Sequence, residues 1–235
     1  MPCLSRNDIE KIAVCIIEQY KQKYLSEKWL CYAVDPLKLA HMLGLEVVFR
    51  HLSDDGTLLG MTSSDEVCVA IFDDNMEQMG FVLDGNTILV EENLNKYHSA
   101  IGRRNFTIAH ECAHQIIYRL FPEVFGTRCR IFCDYRRNVR PRKQIEDWGE
   151  WQADALGAAL LLPEDAIKDA MFYCGLDEKM RVLSRKYAEN KYICFCDMAN
   201  LLGASRSALS FRMEQLGLLE RNELIAEARA RRGVA

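Results

Sequence analysis

The first 24 positions carry apolar side chains at intervals of three and four, which is the spacing of one face of a helix. This face consists of Ile9, Ile12, Ala13, Ile16, Ile17, Tyr20 and Tyr24. Ser5 or Asn7 is the expected N-cap, because both residue types accept hydrogen bonds from free backbone N–H groups. Pro36 follows Asp35 and predicts a second, short helix that ends at Gly44, since proline is favoured at the first helical position.

After Gly44 the pattern changes to short apolar runs separated by Asp-Asp-Gly and Asp-Gly-Asn, which are turn signals. The runs predict strands at residues 45–49, 58–61, 67–72 and 87–91. We expect a small, mostly antiparallel sheet, followed by helices from about Asn105 onwards. This order of elements predicts an α+β fold.

The segment FTIAHECAHQII is an apolar helix that contains the pattern His-Glu-x-x-His. His110 and His114 are four residues apart and therefore lie on one helix face, where both rings can reach one metal ion. Glu111 is rotated away by one residue, so its carboxylate can accept a proton from a water at the metal. The alternative is a buried helix whose histidines bond to backbone carbonyls. Two buried imidazoles and a carboxylate are costly without partners, which favours the metal site.

A third ligand is offered by EDWGEWQADALGAALLLP, which predicts a helix that stops before Pro163. Zinc sites with two helical histidines are completed by a histidine or a carboxylate further along the chain, and Glu150 suits this role. Asp154 lies four residues later on the same face and can accept the N–H of a ligand histidine, which fixes its tautomer. Small residues such as Ala153 and Gly157 allow this helix to approach the first one closely.

Composition and charge are those of an ordinary globular protein. The 235 residues, 49% hydrophobic and 27% charged, fit one large domain or a catalytic domain with a small appendage. The longest apolar run is too short to span a bilayer, and the N-terminal helix has internal charges and no cleavage site for a signal peptide. We therefore expect a cytoplasmic protein without a membrane partner. The ten cysteines then argue against a disulfide framework, and Cys15, Cys31 and Cys68 are expected to be buried thiols.

The segment RCRIFCDYRRNVRPRK, residues 128–143, has seven basic residues and one acid. Charge runs are usually solvated loops, and this interpretation is favoured here. The alternative is a basic flap beside the active site that holds an acidic partner. The sequence does not decide between the two.

The segment CDMANLLGASRSALSFRMEQLGLL has the spacing of a helix-turn-helix, with Gly203 in the turn four residues after Ala199. Residues 180–235 contain 10 Lys/Arg against 6 Asp/Glu, in a chain of net charge −4, which permits contact with nucleic acid. The second helix offers only Arg206 and Arg212 to a DNA groove, which is too few to predict DNA binding. Packing against the catalytic domain, or docking of a repressor protein, is therefore favoured.

The stretches NFTIAHECAHQII and EWQADALGAALLLP together resemble the ImmA/IrrE family of metallopeptidases. Members of that family carry a His-Glu-x-x-His helix and a Glu-x-x-Ala-Asn/Asp helix that ends in Leu-Leu-x-Pro. The upstream stretches DPLKLAHMLGLEVVF and NTILVEENLNKYHSAIGRRNFT are also similar to the family, so the resemblance covers roughly residues 25–165. Two departures are a longer separation between His114 and Glu150 and the presence of Gln152 where many members have a second acid.

The resemblance implies a thermolysin-related, gluzincin-like site in an α+β domain, with a small sheet packed on the pair of zincin helices. It implies that His110, His114 and Glu150 hold Zn²⁺ and that Glu111 is the catalytic base. The implied domains are a peptidase at residues 1–170 and a helical, helix-turn-helix-like segment at residues 171–235. The implied reaction is cleavage of a helix-turn-helix repressor, which derepresses genes of mobile elements or stress responses.

Two other functions stay open at this point. The first is a non-enzymatic regulator that binds a repressor or DNA and uses zinc structurally. The second is a DNA-binding factor with a vestigial peptidase domain. An intact Glu111 argues against a purely structural site, which needs no base and is normally closed by a fourth protein ligand. A second group that stabilises the oxyanion is also expected, and the sequence does not choose among its candidates, which are His98, Arg103, Arg104 and Tyr118.

Overall fold

The structure is a computed structural model that describes residues 3–25, 31–123, 132–136, 145–186 and 188–222. Its helices are α1 Arg6–Tyr24, α2 Pro36–Met42, α3 Asn93–Lys96, α4 Ile101–Leu120, α5 Ile145–Leu161, α6 Glu164–Tyr173, α7 Glu189–Leu201 and α8 Arg206–Gln215. Its strands are β1 Glu46–Arg50, β2 Leu58–Ser63, β3 Glu66–Phe72, β4 Gln78–Asp84, β5 Thr87–Glu91, β6 Phe132–Arg136, β7 Met180–Leu183 and β8 Leu219–Asn222. A short 3₁₀ turn, His98–Ala100, precedes α4. The α+β class is confirmed.

The two N-terminal helices begin where their capping residues predict. Ser5 accepts a hydrogen bond from the backbone N–H of Asp8, and the Asp8 carboxylate accepts one from the N–H of Ser5, which forms a capping box. Asp35 caps α2, since its carboxylate accepts the N–H of Leu37, and Pro36 occupies the first helical position. Local sequence therefore determines both starts. The long helix α4 begins at Ile101, four residues before the predicted position.

The strands form more than one sheet. In the four-stranded sheet the order is β1-β5-β2-β6, with β1 and β5 parallel and the pairings of β2 with β5 and β6 antiparallel. Residues 67–72 do not join it, because β3 pairs with β4 in a separate hairpin. Strand β4 was not predicted. Its side chains are mostly exposed and Gly80 lies in its interior, so it lacks the alternation of a half-buried strand.

Two apolar layers enclose the four-stranded sheet. One face packs on α2 and α4 through Ala40, Leu45, Leu59, Ile88, Val90, Leu94, Ile108 and Cys112. The other face packs under the β3–β4 hairpin through Leu52, Leu58, Met61, Val69, Ile71, Leu83 and Leu89. Both faces of β5 are consequently buried. Helix α4 is thus held against the sheet on one side, and α5 packs on its other side.

The C-terminal helices belong to the same apolar core as α1, α4 and α5. Asn105 of α4 donates a hydrogen bond of 2.9 Å to the carbonyl of Gly203, in the turn between α7 and α8. A Cβ at Gly102 would lie 2.6 Å from the backbone nitrogen of Ser205, so the helix and the turn are in close contact. The core therefore continues across the predicted boundary at residue 170, and the division into a peptidase domain at residues 1–170 and a helical segment at residues 171–235 stays a prediction.

One of the two arginines that the second helix was expected to offer to a DNA groove is buried. Arg212 is only 3% exposed, and its guanidinium donates to the Glu10 carboxylate and the Leu162 carbonyl. It joins α8 to α1 and α5 and does not face solvent. Arg206 is exposed and bonds to the hydroxyl of Tyr192. The helix-turn-helix resemblance of the segment stays a prediction. Of the three positions expected to point inward on its second helix, Leu209 and Met213 are buried and Ala208 is partly buried.

The cysteine prediction is wrong for two residues. Cys15 and Cys68 are exposed and Cys31 is partly buried. Cys68 lies on the outer face of β3, between positions whose side chains point inward, because alternation along a strand places neighbouring residues on opposite faces. Within the described residues no disulfide forms, and no helix is both long and apolar enough to cross a bilayer.

The basic segment is only partly described. Residues 132–136 form strand β6, which pairs with β2 at the edge of the four-stranded sheet. This part is therefore a strand and not the solvated loop that was favoured. The remainder, including the cysteine at position 129, lies outside the described residues.

Candidate metal centre

Helix α4 presents both histidines of the His-Glu-x-x-His pattern on the face that meets α5. His110 and His114 are 0% and 1% exposed, and their Nε2 atoms lie 3.0 Å apart. One helical turn separates them, which is why the rings converge. The helix is apolar and lies between the sheet and α5, so it carries these rings into the interior.

Helix α5 supplies the third group. The Glu150 carboxylate oxygens lie 3.3 Å from Nε2 of His110 and 3.4 Å from Nε2 of His114. The ligand atoms of all three residues lie within 4.8 Å of one another, the arrangement of a site that could hold a metal ion. The Glu150 side chain is 41% exposed, so the site opens to solvent on this side. The predicted ligand set is thus brought together in space.

Gly157 makes the close approach of the two helices possible. A Cβ at this position would lie 3.0 Å from the Cα and the backbone nitrogen of His110. Ala109, Ala113 and Ala153 are fully buried around this crossing. Larger side chains here would separate Glu150 from the histidines, so the small residues set the size of the site.

Asp154 stands where the sequence predicts an orienting carboxylate. Its Oδ1 lies 2.9 Å from Nδ1 of His110. A carboxylate only accepts hydrogen bonds, so Nδ1 of His110 donates and its Nε2 faces Glu150 and His114. Ligand histidines in metal sites commonly bond to a carboxylate in this way, which fixes the tautomer and the ring orientation.

The electrostatics of the three groups are those of a cation site. Burial alone would lower the pKa of His110, but the hydrogen bonds to Asp154 and Glu150 outweigh it and raise this pKa to about 10. Burial lowers the pKa of His114. Burial would raise the pKa of Glu150, but hydrogen bonds from both histidines hold it well below its usual range. The carboxylates therefore favour one positive charge between the rings.

Glu111 follows His110 on α4, and its side chain lies against strand β2 of the sheet. It is completely buried, and a Cβ at Gly60 of β2 would lie 2.8 Å from its Oε1. One turn later, Gln115 donates to the hydroxyl of Thr62 at 2.6 Å and to the carbonyl of Ser63 at 2.7 Å. Sequence reasoning missed these contacts between α4 and β2. The available signal was a glycine inside a predicted strand, which often marks close backbone approach.

The four candidates for a second oxyanion donor are placed differently. The Tyr118 ring lies 5.9 Å from the His114 ring, one turn further along α4. Arg104 bonds to the side chains of Asn95 and Asn105. Arg103 and His98 are exposed. Among these four residues, a described contact with one of the two histidines of the candidate site is made by Tyr118.

A second cluster of ionisable side chains, the surface histidine group, consists of His51, Asp74 and Glu92. Nδ1 of His51 lies 3.2 Å from the buried carboxylate of Glu91. The Lys96 ammonium lies 3.4 Å from Nε2 of His51 and 3.1 Å from Glu92. This group thus already contains a cation supplied by the chain.

A scan of the sequence against models of known protein families finds no match, and a search among curated proteins finds none either.

Proposed function

We propose that this protein is a zinc-dependent endopeptidase. The proposal is carried by one observation, namely that the ring nitrogens of His110 and His114 converge with the Glu150 carboxylate beside a fourth ionisable group, Glu111, on the same helix. This is the arrangement in which zinc hydrolases combine three protein ligands with a general base.

The donor atoms fit zinc. Two imidazole nitrogens and one carboxylate oxygen are ligands of intermediate softness, and three protein ligands leave one coordination position open for catalysis. The site is also reachable from solvent beside Glu150. Zinc bound there would supply a Lewis acid that activates water and polarises a peptide carbonyl.

The chain's own residues supply the proton transfers and the alignment. Glu111 takes the proton of the attacking water and delivers it to the nitrogen of the leaving amine. Asp154 holds the His110 ring with Nε2 directed into the site, and Glu150 balances the positive charge. Burial of Glu111 between α4 and β2 keeps its carboxylate in one place between the two transfers.

The substrate proposal rests on the resemblance of the α4 and α5 stretches to the ImmA/IrrE family. It supports a helix-turn-helix transcriptional repressor as the protein that is cut, in the cytoplasm, with derepression of mobile-element or stress-response genes as the result. The alternative is a regulator that binds the same repressor without cutting it. The two functions differ in whether Glu111 is needed.

The test is co-expression of the full chain with a helix-turn-helix repressor, taken from the neighbouring reading frame where that frame encodes one. Wild type, Glu111→Gln and the matched surface variant Glu66→Gln are compared for intact repressor and for zinc content. We expect cleavage by wild type and Glu66→Gln, and a loss of about 10²–10⁴-fold in rate for Glu111→Gln at unchanged zinc content.

The outcomes separate the two functions. Equal cleavage by wild type and zinc-loaded Glu111→Gln protein would contradict the role of Glu111. A repressor that is bound tightly by wild type and stays intact would support the non-enzymatic regulator.

A further inference from the structure

We propose that Gly60 is a positioning residue for Glu111. In this proposal the backbone of β2 packs closely against the Glu111 carboxylate. Only glycine at position 60 leaves room for this carboxylate in its catalytic position. The inference rests on the proposed peptidase function, in which Glu111 is the base. It concerns a residue of the sheet whose nearest neighbours, on the side where a Cβ would stand, are Thr107 and Glu111 of α4.

The space at Gly60 is already filled by α4. A Cβ on Gly60 would lie 2.8 Å from Oε1 and 3.2 Å from Cγ of Glu111, and 2.6 Å from Cγ2 of Thr107. Carbon atoms in protein interiors pack at about 3.5–4.0 Å, so the added methyl group has no room. Alanine at this position must therefore displace one of the two side chains or move the strand.

Backbone conformation does not explain the glycine. Other glycines, such as Gly44 and Gly85, have positive φ angles that favour glycine, and Gly60 is not among them. Glycine inside a strand weakens the strand, because it has no side chain to pack and loses more entropy on folding. What Gly60 provides is the close approach of β2 to Glu111.

The strand cannot easily retreat from an added methyl group. Every residue of β2 is buried, and the strand is paired on both sides, with β5 and with β6. Gln115 holds β2 against α4 through Thr62 and Ser63, one helical turn beyond Glu111. Thr62 in turn donates to the carbonyl of Thr87 on β5. With the strand held in this way, the added methyl group must displace side chains of α4, and the Glu111 side chain has more rotatable bonds than the β-branched Thr107.

The experiment compares Gly60→Ala with Gly80→Ala. Gly80 is the matched control, since it also lies inside a strand and its added Cβ would meet only the flexible Cys68 Sγ, at 3.3 Å. Because a misplaced catalytic group costs about 10²-fold in rate, we expect kcat of Gly60→Ala to fall by about that factor. KM and zinc affinity stay near wild type, since no ligand is touched. Gly80→Ala is expected to have the kcat, the KM and the zinc affinity of the wild type.

A thermal unfolding cycle gives a readout that needs no activity. Gly60→Ala is expected to lower Tm in the wild-type background and to lower it less in the Glu111→Ala background, where the clashing carboxylate is absent. Thr107→Ser removes the other clashing atom. It is expected to restore part of the Tm of Gly60→Ala and none of its kcat.

Each result decides one point. Wild-type kcat in Gly60→Ala, a parallel loss of zinc, or full rescue of kcat by Thr107→Ser would overturn the positioning role. An equal Tm loss in the presence and absence of the Glu111 side chain would overturn the contact itself. If wild type cleaves nothing while the unfolding cycle shows coupling, the peptidase proposal fails and the contact stands.

Discussion

The two histidine groups of this protein handle their charges in different ways. In the metal centre, His110 and His114 are buried and their Nε2 atoms face each other and Glu150. In the surface histidine group, the Lys96 ammonium lies between His51 and Glu92, and its side chain is 45% exposed. Both groups contain a histidine whose Nδ1 meets a carboxylate. The residue types alone therefore do not distinguish them.

Burial and the source of the cation make the difference. The side chains of His110 and His114 are 0% and 2% exposed, so these two rings lose the hydration that water gives to a surface group and need a cation to compensate, although Glu150 is 41% exposed. At the surface, a lysine and the solvent are sufficient, and the net energy of such an ion pair is small. The comparison teaches that two groups of the same residue types differ in the burial of their histidine rings and in whether the chain itself supplies a cation.

The largest expected difference between the groups is in zinc affinity. Glu150→Gln removes a ligand, and zinc affinity should fall by at least about 10²-fold, because the large free energy of zinc binding is shared among few ligands. Glu92→Gln in the surface histidine group is the matched change and should leave affinity within about twofold. Competition with a chromogenic chelator measures both. Equal losses in the two variants would break the distinction.

The carboxylates that orient the two histidines should also differ. Asp154→Asn weakens the hydrogen bond to Nδ1 of His110, and substitution of such partners lowers metal affinity by about 10–100-fold. The corresponding change beside the surface histidine group is Glu91→Gln, at the carboxylate that contacts Nδ1 of His51, and it should leave zinc affinity unchanged. Competition with the same chromogenic chelator measures the zinc affinity of both variants. A normal affinity in Asp154→Asn would show that packing alone orients the ring.

The grouping of His110, His114 and Glu150 was largely predictable because its signals are local. His110, His114 and Glu111 lie within one helix, and the four-residue spacing of Glu150 and Asp154 indicates a second helix face. Small residues at the crossing, such as Gly157, are also visible in the sequence. The helix starts at Ser5 and Asp35 were predictable for the same reason, since a cap depends on neighbours two or three residues away.

The features that were missed or wrongly predicted depend on contacts between segments that are distant in the sequence. The separation of β3 from the main sheet follows from its pairing with β4, a strand with weak alternation. The burial of Arg212 depends on Glu10, about 200 residues earlier in the chain. The approach of Gly60 to Glu111 requires knowledge of which strand lies under α4. None of these contacts can be predicted from the spacing of residues that are close in the sequence.

Zinc binding to the metal centre should release a proton at pH values where an ordinary histidine is already neutral. Hydrogen bonds to Asp154 and Glu150, acting against burial, raise the pKa of His110 to about 10, so metal-free protein keeps this proton at pH 8. His114 adds none, because burial lowers its pKa. Apparent zinc affinity should then rise about tenfold per pH unit up to the pKa of His110.

Calorimetry of zinc binding in buffers of different ionisation enthalpy measures this release. About one proton per zinc is expected at pH 8. The raised pKa of His110 also makes the stability of the metal-free protein depend on pH. A raised folded-state pKa of His110 stabilises metal-free protein fully below its unfolded value of 6.5, and this contribution is lost as pH rises toward 10. Zinc binding without proton release at pH 8 would contradict the charge state derived for His110.

The smallest effect is expected for Lys96→Ala, which removes the cation of the surface histidine group. Since Lys96 is 45% exposed, the loss of its ion pair with Glu92 should lower the free energy of unfolding by less than about 1 kcal/mol. Water replaces the ammonium at the exposed Asp74 and the partly exposed Glu92, so zinc stoichiometry should stay at one per chain. Urea unfolding and metal analysis measure the two quantities. A second tightly bound zinc in Lys96→Ala would show that the lysine, and not burial, separates the two groups.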